Sequence, residues 1–390
     1  MLRALVAATL IVGLADCRRA STPPPPSAGP ALALRFEAPL AAGTEAALKR
    51  IYLQSEARGM VLALVDGDEV AVRGYGRMGP ADPRRPDGAT LVRLESLSKL
   101  FAADLLARFV ADGRVRLGDP LQAHAPPGGR VPQTPNGPPI TLLDLATHTA
   151  GLSRNLPTGE DELTATEADR WAWLSKQRRL PVPGRYAHYS NFGFDLLGDA
   201  LGDAAGEPYG AALKSRITGP LGLTDTTARP TGAQCARMMT SDPRRRDWPC
   251  VDQSGEAASG GLYSTADDMA LWLEHELAAG PPGARRRISQ ALYLRRGALA
   301  SSEGLDNAGP ADALGLAWVG HAATAARPAI LEKTGGGDGF LSYVVIAPQS
   351  RVGVFVAFNN ASGHRLRPVA EAADEVVAQL AAARRRPSDR

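Results

Sequence analysis

Lysine is scarce in this chain of 390 residues: only five of its 44 basic residues are lysines, at positions 49, 99, 176, 214 and 333. An excess of one charge is also missing, because 41 acidic residues leave a net charge of +3. Such a balance argues against nucleic acid or any other strongly acidic partner. The terminal run "ARRRPSDR" is basic, and we expect a solvated, frayed end there.

Motifs of several other protein classes are absent as well. The six histidines are scattered and neither CxxC nor HExxH occurs, which argues against a zinc site. No Gly-Lys dipeptide exists, so the glycine run "TGGGDG" is not a Walker phosphate loop. The G-x-S-x-G elbow of the α/β-hydrolases is missing too. These patterns give no reason to expect a metal ion.

The apolar run near the N-terminus, Ala4 to Leu14, is too short to span a bilayer comfortably. It follows Arg3 and has the length of a signal-peptide core, so we expect export. "LADC" ends at Cys17 and resembles a bacterial lipobox, although Asp16 stands where a small residue is usual. We therefore expect export to the periplasm. The sequence leaves open whether Cys17 is lipidated, which would anchor the protein to the membrane.

Only three cysteines are present. If Cys17 is lipidated or removed, Cys235 and Cys250 remain, and an oxidising compartment favours a disulfide between them. The alternative is two buried thiols.

The chain divides by composition into an export segment (1–20), a Pro-rich linker (21–35), a folded body (36–384) and a disordered tail (385–390). Within the body, β-rich runs occur in 36–99 and 280–384, and the stretch 100–279 is mostly helical. This order predicts an α+β fold in which an antiparallel sheet from both chain ends is flanked by helices, with a helical lobe inserted between the ends.

Individual strands can be assigned within those runs. Asp66-Gly67-Asp68 separates two β-rich runs and predicts a hairpin, since the spacing of a calcium-binding EF-hand is missing. Near the C-terminus, "ALGLAWVG", "AILEKTG", "FLSYVVIAP" and "RVGVFVAFN" are spaced like consecutive antiparallel strands. "PVAEAADEVVAQLAAA" is typical of a closing helix.

The stretch "RLESLSKLFAAD" places Ser96 and Lys99 three residues apart at a predicted helix start. Burial and the positive end of the helix dipole both disfavour a charged amine, so a lysine there can be neutral and take a proton from serine. Arginine cannot, because it stays charged. The Ser-x-x-Lys spacing also arises by chance, and a capping serine beside a solvated lysine is the plain alternative.

Two further stretches supply context for Ser96. "PGRYAHYSNFGFDLLGDAL" places Tyr189 and Asn191 in a turn before an apolar helix, and "LEKTGGGDGF" places Lys333-Thr334-Gly335 at a strand end. In this order the three motifs resemble the serine β-lactamase and penicillin-binding-protein superfamily, in its class C-like branch. Ser153 and Asn155 in "LSRN" form a rival second motif. We favour Tyr189, because "LLDLATHTAGL" resembles the loop that precedes that motif in this branch.

The longer stretches "SLSKL", "APPGGRVP", "ITLLDLATHTAGL", "QCARMM", "SGGLYSTADDMALW" and "KTGGGDGF" are similar to the AmpH type of D-alanyl-D-alanine carboxypeptidase/endopeptidase, over residues 59 to 360. The resemblance implies a β-lactamase/transpeptidase-like fold for the body, making 36–384 a serine hydrolase domain. That group has cysteines matching Cys235 and Cys250, which implies the disulfide.

The resemblance also implies roles for individual residues. Ser96 is the expected nucleophile, Lys99 its proton acceptor and Tyr189 a second base, and which of the two is the principal base stays open. Substrate-binding groups are expected at Asn191, Lys333, Thr334 and Gly335. The backbone N–H groups of Ser96 and Gly336 form the expected oxyanion hole.

Two other interpretations compete with these roles. His148 in "ATHTAG" could belong to a Ser-His-Asp triad, but Lys99 already provides a base, and we expect a structural histidine. Trp171 and Trp173 could bind sugar, and helix packing is the interpretation that we prefer.

The implied reaction is acyl transfer through Ser96 on a D-Ala-terminated peptidoglycan stem peptide or muropeptide, with no cofactor. β-Lactams are then expected as covalent inhibitors. The alternatives are a class C-like β-lactamase or an esterase with the same groups, and a non-hydrolytic penicillin-binding sensor that stays acylated.

Overall fold

A computed structural model of the chain describes residues 39–133, 137–157, 165–240, 250–337, 339–359 and 363–385. The predicted export segment with Cys17, the Pro-rich linker and residues 386–390 of the tail lie outside the described residues. Within the described part, no helix combines the length and the apolar character needed to cross a bilayer.

The described helices are numbered in chain order. They are α1 (Ala42–Ser55), α2 (Ser98–Ala111), α3 (Leu142–Ala146), α4 (Glu167–Lys176), α5 (Asn191–Ala205), α6 (Tyr209–Leu213), α7 (Gly232–Cys235), α8 (Ala266–Glu276), α9 (Ala284–Ser289) and α10 (Leu366–Arg385).

The described strands are numbered in the same way. They are β1 (Gly59–Asp66), β2 (Glu69–Gly76), β3 (Leu91–Arg93), β4 (Tyr186–His188), β5 (Tyr263–Thr265), β6 (Leu292–Arg295), β7 (Ser301–Glu303), β8 (Ala313–Gly315), β9 (Val319–His321), β10 (Ile330–Gly337), β11 (Phe340–Ala347) and β12 (Val352–Asn359).

Eight of the described strands form one antiparallel sheet in the order β2-β1-β12-β11-β10-β9-β8-β6. β1 and β12 are adjacent, so strands from the two ends of the chain pair inside the sheet, next to the edge strand β2. Every residue of β11 and β12 is buried, because helices cover both faces: α1 and α10 on one, α2 and α8 on the other. This architecture confirms the predicted fold class.

The predicted hairpin is present, with Asp66 paired to Glu69 and Gly67 at φ +66°. The run "ALGLAWVG" differs from the prediction, since it forms two short strands, β8 and β9, rather than one. Ala317 lies between them at φ +62°, a backbone conformation that single-sequence patterns give no reason to expect from alanine. Its N–H donates to the carbonyl of Ala146 at 2.8 Å, a contact from a distant helix that stabilises the bend.

The remaining described helices lie between β2 and β6, and four short strands form two small sheets beside the main one. β3 pairs antiparallel with β5, and β4 pairs parallel with β7. Cys235 and Cys250 are joined by a disulfide, with their Cα atoms 5.4 Å apart.

Candidate active site

Ser96 lies on a short 3-10 turn, Glu95–Leu97, that directly precedes α2. The sequence predicted that Ser96 would lie within the helix itself. The turn is held from outside: Ser342 of β11 donates to the Leu94 carbonyl at 2.7 Å, and the Ser98 hydroxyl accepts from the Leu262 N–H at 3.0 Å. Glu95 has φ +53°, a left-handed conformation that is uncommon for a residue with a side chain. The serine is therefore positioned by tertiary contacts with two other segments.

Lys99 is fully buried on the first turn of α2. Its Nζ is 3.3 Å from Ser96 Oγ, 2.7 Å from Asn191 Oδ1 and 2.5 Å from the carbonyl oxygen of Ser259. Burial lowers the pKa of this amine to about 7, while the carboxylates of Asp195 and Glu256 act in the opposite direction. An amine with such a pKa exchanges protons readily near neutral pH.

Tyr189 follows β4, and its backbone N–H donates to the Glu303 carbonyl at 3.1 Å. Its phenol hydroxyl donates to Ser96 Oγ, so the serine oxygen contacts both Tyr189 and Lys99. Three basic groups lie around the aromatic ring: Lys99 Nζ at 4.7 Å, the guanidinium carbon of Arg154 at 4.9 Å and Lys333 Nζ at 5.0 Å from its centroid.

Asn191 is the first residue of α5, whose N-terminus is capped by the Ser190 hydroxyl accepting from the Gly193 N–H at 2.8 Å. The Asn191 amide accepts from Lys99 and donates to Asn155 Oδ1 at 3.0 Å. In the rival motif, Ser153 donates to the Asn155 carbonyl at 2.8 Å. The structure therefore places Tyr189 against Ser96. Ser153 and Asn155 instead contact residues of the second motif.

Lys333, Thr334 and Gly335 lie on β10, beside the turn that carries Ser96. β11 pairs with β10 from Leu331 to Gly337, whereas β9 pairs with it only from Ile330 to Glu332. On the β9 side, no described strand pairs with 333–337, so this edge is open to an extended peptide. Lys333 is buried, and burial lowers the pKa of its amine.

Gly335 is required by a close approach of backbones. A Cβ at this position would collide with the Ser342 hydroxyl and would lie 2.7 Å from the Leu94 carbonyl oxygen. A cleft of about 410 Å³ opens in front of the strand, and Ser96, Tyr189, Thr334, Gly335 and Gly336 all line it. The motifs predicted from three distant parts of the sequence thus meet around one cleft.

His148 is buried against this cluster rather than in contact with Ser96. Its ring packs on Tyr189 at 4.6 Å and on Phe194 at 4.9 Å between centroids, and its Nδ1 accepts from the Ser190 N–H at 3.1 Å. Burial and the neighbouring cations hold the pKa of this imidazole well below its usual range. Its Nδ1, which an acid would occupy in a Ser-His-Asp triad, accepts from a backbone N–H, and its Nε2, which a serine would occupy, has no hydrogen-bond partner among the described residues.

The two tryptophans pack within the helical region. Trp171 is 2% exposed, and Trp173 contacts Phe192 edge to face at 5.3 Å between centroids. Over the ranges that the structure describes, no cluster of three or more His, Cys, Asp or Glu side chains has the arrangement of a metal site.

The family model described as Beta-lactamase matches residues 36–379 of the chain. The chain belongs to the beta-lactamase family. This assignment confirms the superfamily resemblance that the three motifs indicated, and the relatives named below are serine hydrolases.

Named relatives in the family include the D-alanyl-D-alanine-carboxypeptidase/endopeptidase AmpH of Escherichia coli K12. It is 39% identical over 336 residues, which cover 85% of this chain and 86% of AmpH. A beta-lactamase of the same organism is 24% identical over 327 residues, covering 78% of this chain and 85% of the relative.

Solved structures from the family have the same fold. A beta-lactamase/D-alanine carboxypeptidase from Yersinia pestis, complexed with citrate, superposes with a TM-score of 0.81 at 39% identity, covering 86% of this chain and 98% of that one. A class C beta lactamase from Rhodobacter sphaeroides reaches a TM-score of 0.68 at 23% identity, covering 85% and 97%, and supports the fold alone.

Three residues around Ser96, Tyr189 and Asn191 were not assigned a place there by the sequence motifs. Ser259 contributes only a backbone carbonyl, for which a sequence carries no signal. Asn155 and Arg154 belong to "GLSRNLP", directly after the "ATHTAG" loop. The presence of a second Ser-x-Asn in that stretch was a signal that it lies near the nucleophile.

Proposed function

We propose that this chain is a D-alanyl-D-alanine carboxypeptidase/endopeptidase that remodels peptidoglycan through an acyl-enzyme on Ser96. The observation that carries the proposal is the position of the Ser96 hydroxyl between Lys99 and Tyr189, beside the open edge of β10. The AmpH relative, which bears that activity in its name, supports the choice of substrate. The proposed reaction needs no cofactor.

In the proposed acylation, neutral Lys99 takes the proton of the Ser96 hydroxyl while Oγ attacks the carbonyl carbon of the D-Ala peptide bond. With a pKa of about 7, roughly half of the Lys99 amines are neutral at pH 7. The tetrahedral oxyanion accepts hydrogen bonds from the backbone N–H groups of Ser96 and Gly336. The pH profile of acylation tests whether Lys99 or Tyr189 is the principal base.

Collapse of that intermediate breaks the C–N bond, and Tyr189 delivers a proton to the departing amine. The leaving group is D-alanine in the carboxypeptidase reaction and a cross-linked D-amino acid in the endopeptidase reaction. Water then attacks the ester carbonyl and gives its proton to the Lys99–Tyr189 pair, and the pair returns a proton to Ser96 Oγ as the acyl C–O bond breaks. Lys333 and Thr334 bind the terminal carboxylate of the substrate by charge and hydrogen bonding, and Asn191 binds its backbone amide.

The experiment is incubation of the exported protein with cross-linked muropeptides, followed by chromatography of the products. Release of D-alanine or of uncross-linked muropeptides by the wild type, and not by Ser96→Ala, is the expected result. Covalent β-lactam labelling at Ser96 with no product release would instead identify a penicillin-binding sensor. Rapid nitrocefin turnover without muropeptide cleavage would identify a β-lactamase.

The proposal places the enzyme in the periplasm, where its substrate lies. Its support is the predicted export segment and the Cys235–Cys250 disulfide, which an oxidising compartment maintains. The lipobox-like "LADC" extends the proposal to a lipid anchor on Cys17. Mass spectrometry of the mature N-terminus tests it: a diacylglyceryl cysteine supports the anchor, and an unmodified N-terminus beyond Cys17 rules it out.

A further inference from the structure

Arg154 is the charged side chain that lines the cleft wall beside Ser96. Of the described residues that line this cleft, it alone is charged. The side chain lies over the ring of Tyr189, with the guanidinium carbon 4.9 Å from its centroid, and points towards Gly304, where an added Cβ would be 3.7 Å from Arg154 Nη1. The cation is thus held next to the group that hydrogen-bonds to the nucleophile.

The backbone around Arg154 is fixed although its side chain is exposed. The Arg154 carbonyl accepts from the N–H groups of Asn191 at 2.6 Å and Phe192 at 3.2 Å, which secures the loop to the start of α5. On either side, the Ser153 carbonyl accepts from Ser190 at 2.6 Å and Asn155 bonds to Asn191. A loop held at three successive residues presents its middle side chain to the cleft in a defined position.

The guanidinium has no hydrogen-bond acceptor or carboxylate partner within the described part of the chain. Many other arginines in that part are paired, among them Arg170 with Asp199 and Arg285 with Asp104. Arg154, Lys99 and Lys333 together place three basic groups within 5.0 Å of one ring centroid. A cleft with this charge favours anionic ligands, and a planar guanidinium with two parallel N–H donors matches a carboxylate.

We propose that Arg154 is a substrate-recognition residue that binds a second carboxylate of the substrate, separate from the terminal carboxylate at Lys333 and Thr334. The proposal deepens the proposed function, on which it rests. With this contact the enzyme prefers peptides in which a residue on the acyl side of the scissile bond carries a free side-chain carboxylate. It disfavours the same peptides when that carboxylate is amidated.

The test compares two probes that differ by one carboxylate on the acyl side: benzylpenicillin and its side-chain-carboxylated analogue carbenicillin. The second-order rate of acylation at Ser96 is measured for wild type, Arg154→Ala, Arg154→Lys and the control Arg178→Ala, an exposed arginine outside the cleft. We expect Arg154→Ala to slow carbenicillin about 10- to 100-fold and benzylpenicillin less than 2-fold, as loss of one charged contact does. Arg154→Lys retains part of the preference, and Arg178→Ala changes neither rate.

Equal slowing of both probes by Arg154→Ala would overturn the proposal and assign Arg154 to the chemistry or the fold. The proposal would also be overturned if the ratio of the carbenicillin rate to the benzylpenicillin rate were the same in wild type and Arg154→Ala. Failure of either probe to acylate Ser96 would overturn it too. The benzylpenicillin rate serves as the internal measure that the variant is folded.

A second pair of substrates separates this proposal from the proposed function. Two D-Ala-D-Ala peptides, identical except for a free or amidated side-chain carboxylate on the acyl side, are compared by kcat/KM. We expect Arg154→Ala to remove the preference for the free acid mainly through KM. If wild type cleaves neither peptide but still shows the Arg154-dependent carbenicillin preference, the peptidase function fails and the carboxylate subsite stands.

Discussion

At the scale of single residues, the site depends on one amine that burial keeps from being fully charged. Lys99 contacts the nucleophile, an amide oxygen and a backbone carbonyl, and the pKa of its amine falls to about 7 because of its desolvation. The scarcity of lysine and its spacing from Ser96 predicted that Lys99 would lie beside Ser96, and its role as the base stays a prediction. The contact with the Ser259 carbonyl could not be predicted, since that carbonyl reaches Lys99 only through tertiary folding.

The pH dependence of acylation follows from this pKa. If neutral Lys99 is the base, the acylation rate rises with pH through about 7 and levels off above it, and well below that value it falls about tenfold for each pH unit. The measurement is the second-order rate of benzylpenicillin acylation from pH 5 to 9 at constant ionic strength. A flat profile across that range would contradict the role of Lys99 as the base.

A substitution at Asp195 tests that the rising limb of the profile belongs to Lys99. In its ionised form Asp195 raises the pKa of Lys99, and burial raises the pKa of Asp195 itself to about 7, so Asp195→Asn should lower the pKa of Lys99 and move the rising limb of the profile to lower pH. Glu256 and Glu95 act on Lys99 in the same direction as Asp195, and Arg154 acts against them. Asp203→Asn, on the same helix but exposed, should leave the limb in place. A profile that Asp195→Asn does not shift would show that the limb belongs to another group.

At the scale of elements, the geometry depends on how closely β10 packs against the turn that carries Ser96. Hydrophobic patterning predicted β10, β11 and β12 correctly, because β11, β12 and the first four residues of β10 are buried. The 3-10 turn and the left-handed Glu95 could not be predicted, because hydrogen bonds to Leu94 and Ser98 from β11 and from the segment before β5 maintain them. Local propensity alone favours continuing the helix through Ser96.

Gly335→Ala tests that packing. The added methyl would collide with Ser342 and approach the Leu94 carbonyl. β10 must therefore move away from the turn that carries Ser96. We expect acylation to slow about 100-fold, since displacements near 1 Å cost that much, and the protein to lose about 1–3 kcal/mol of stability. Acylation rates and thermal melting measure the two effects.

Gly210→Ala is the matched substitution for that test. No atom lies within 4 Å of a Cβ at this position, which is exposed on α6. The variant should keep the wild-type rate, and alanine should stabilise the helix by up to about 1 kcal/mol. If Gly335→Ala were as active as Gly210→Ala, close packing of β10 against the turn that carries Ser96 would not be needed for acylation.

At the scale of the whole molecule, the sheet joins the two ends of the chain and the cleft lies where it meets the inserted helices. β1 pairs with β12 although nearly 300 residues separate them in the sequence, and the alternation of β-rich and helical stretches was enough to predict this arrangement. The pairings β3–β5 and β4–β7 could not be predicted, because strands of three residues carry too little pattern.

The disulfide acts on the stability of the whole chain rather than on the chemistry. Cys235 and Cys250 are separated by 15 residues, and neither lines the cleft. A crosslink across a loop of that length restricts the unfolded chain, so replacing both cysteines by serine should cost about 3 kcal/mol. Chemical denaturation of the oxidised wild type and the double variant measures this difference, and the acylation rate of the folded variant should remain that of the wild type. A double variant with unchanged stability but a slower reaction would reverse the assignment and make the crosslink part of the catalytic geometry.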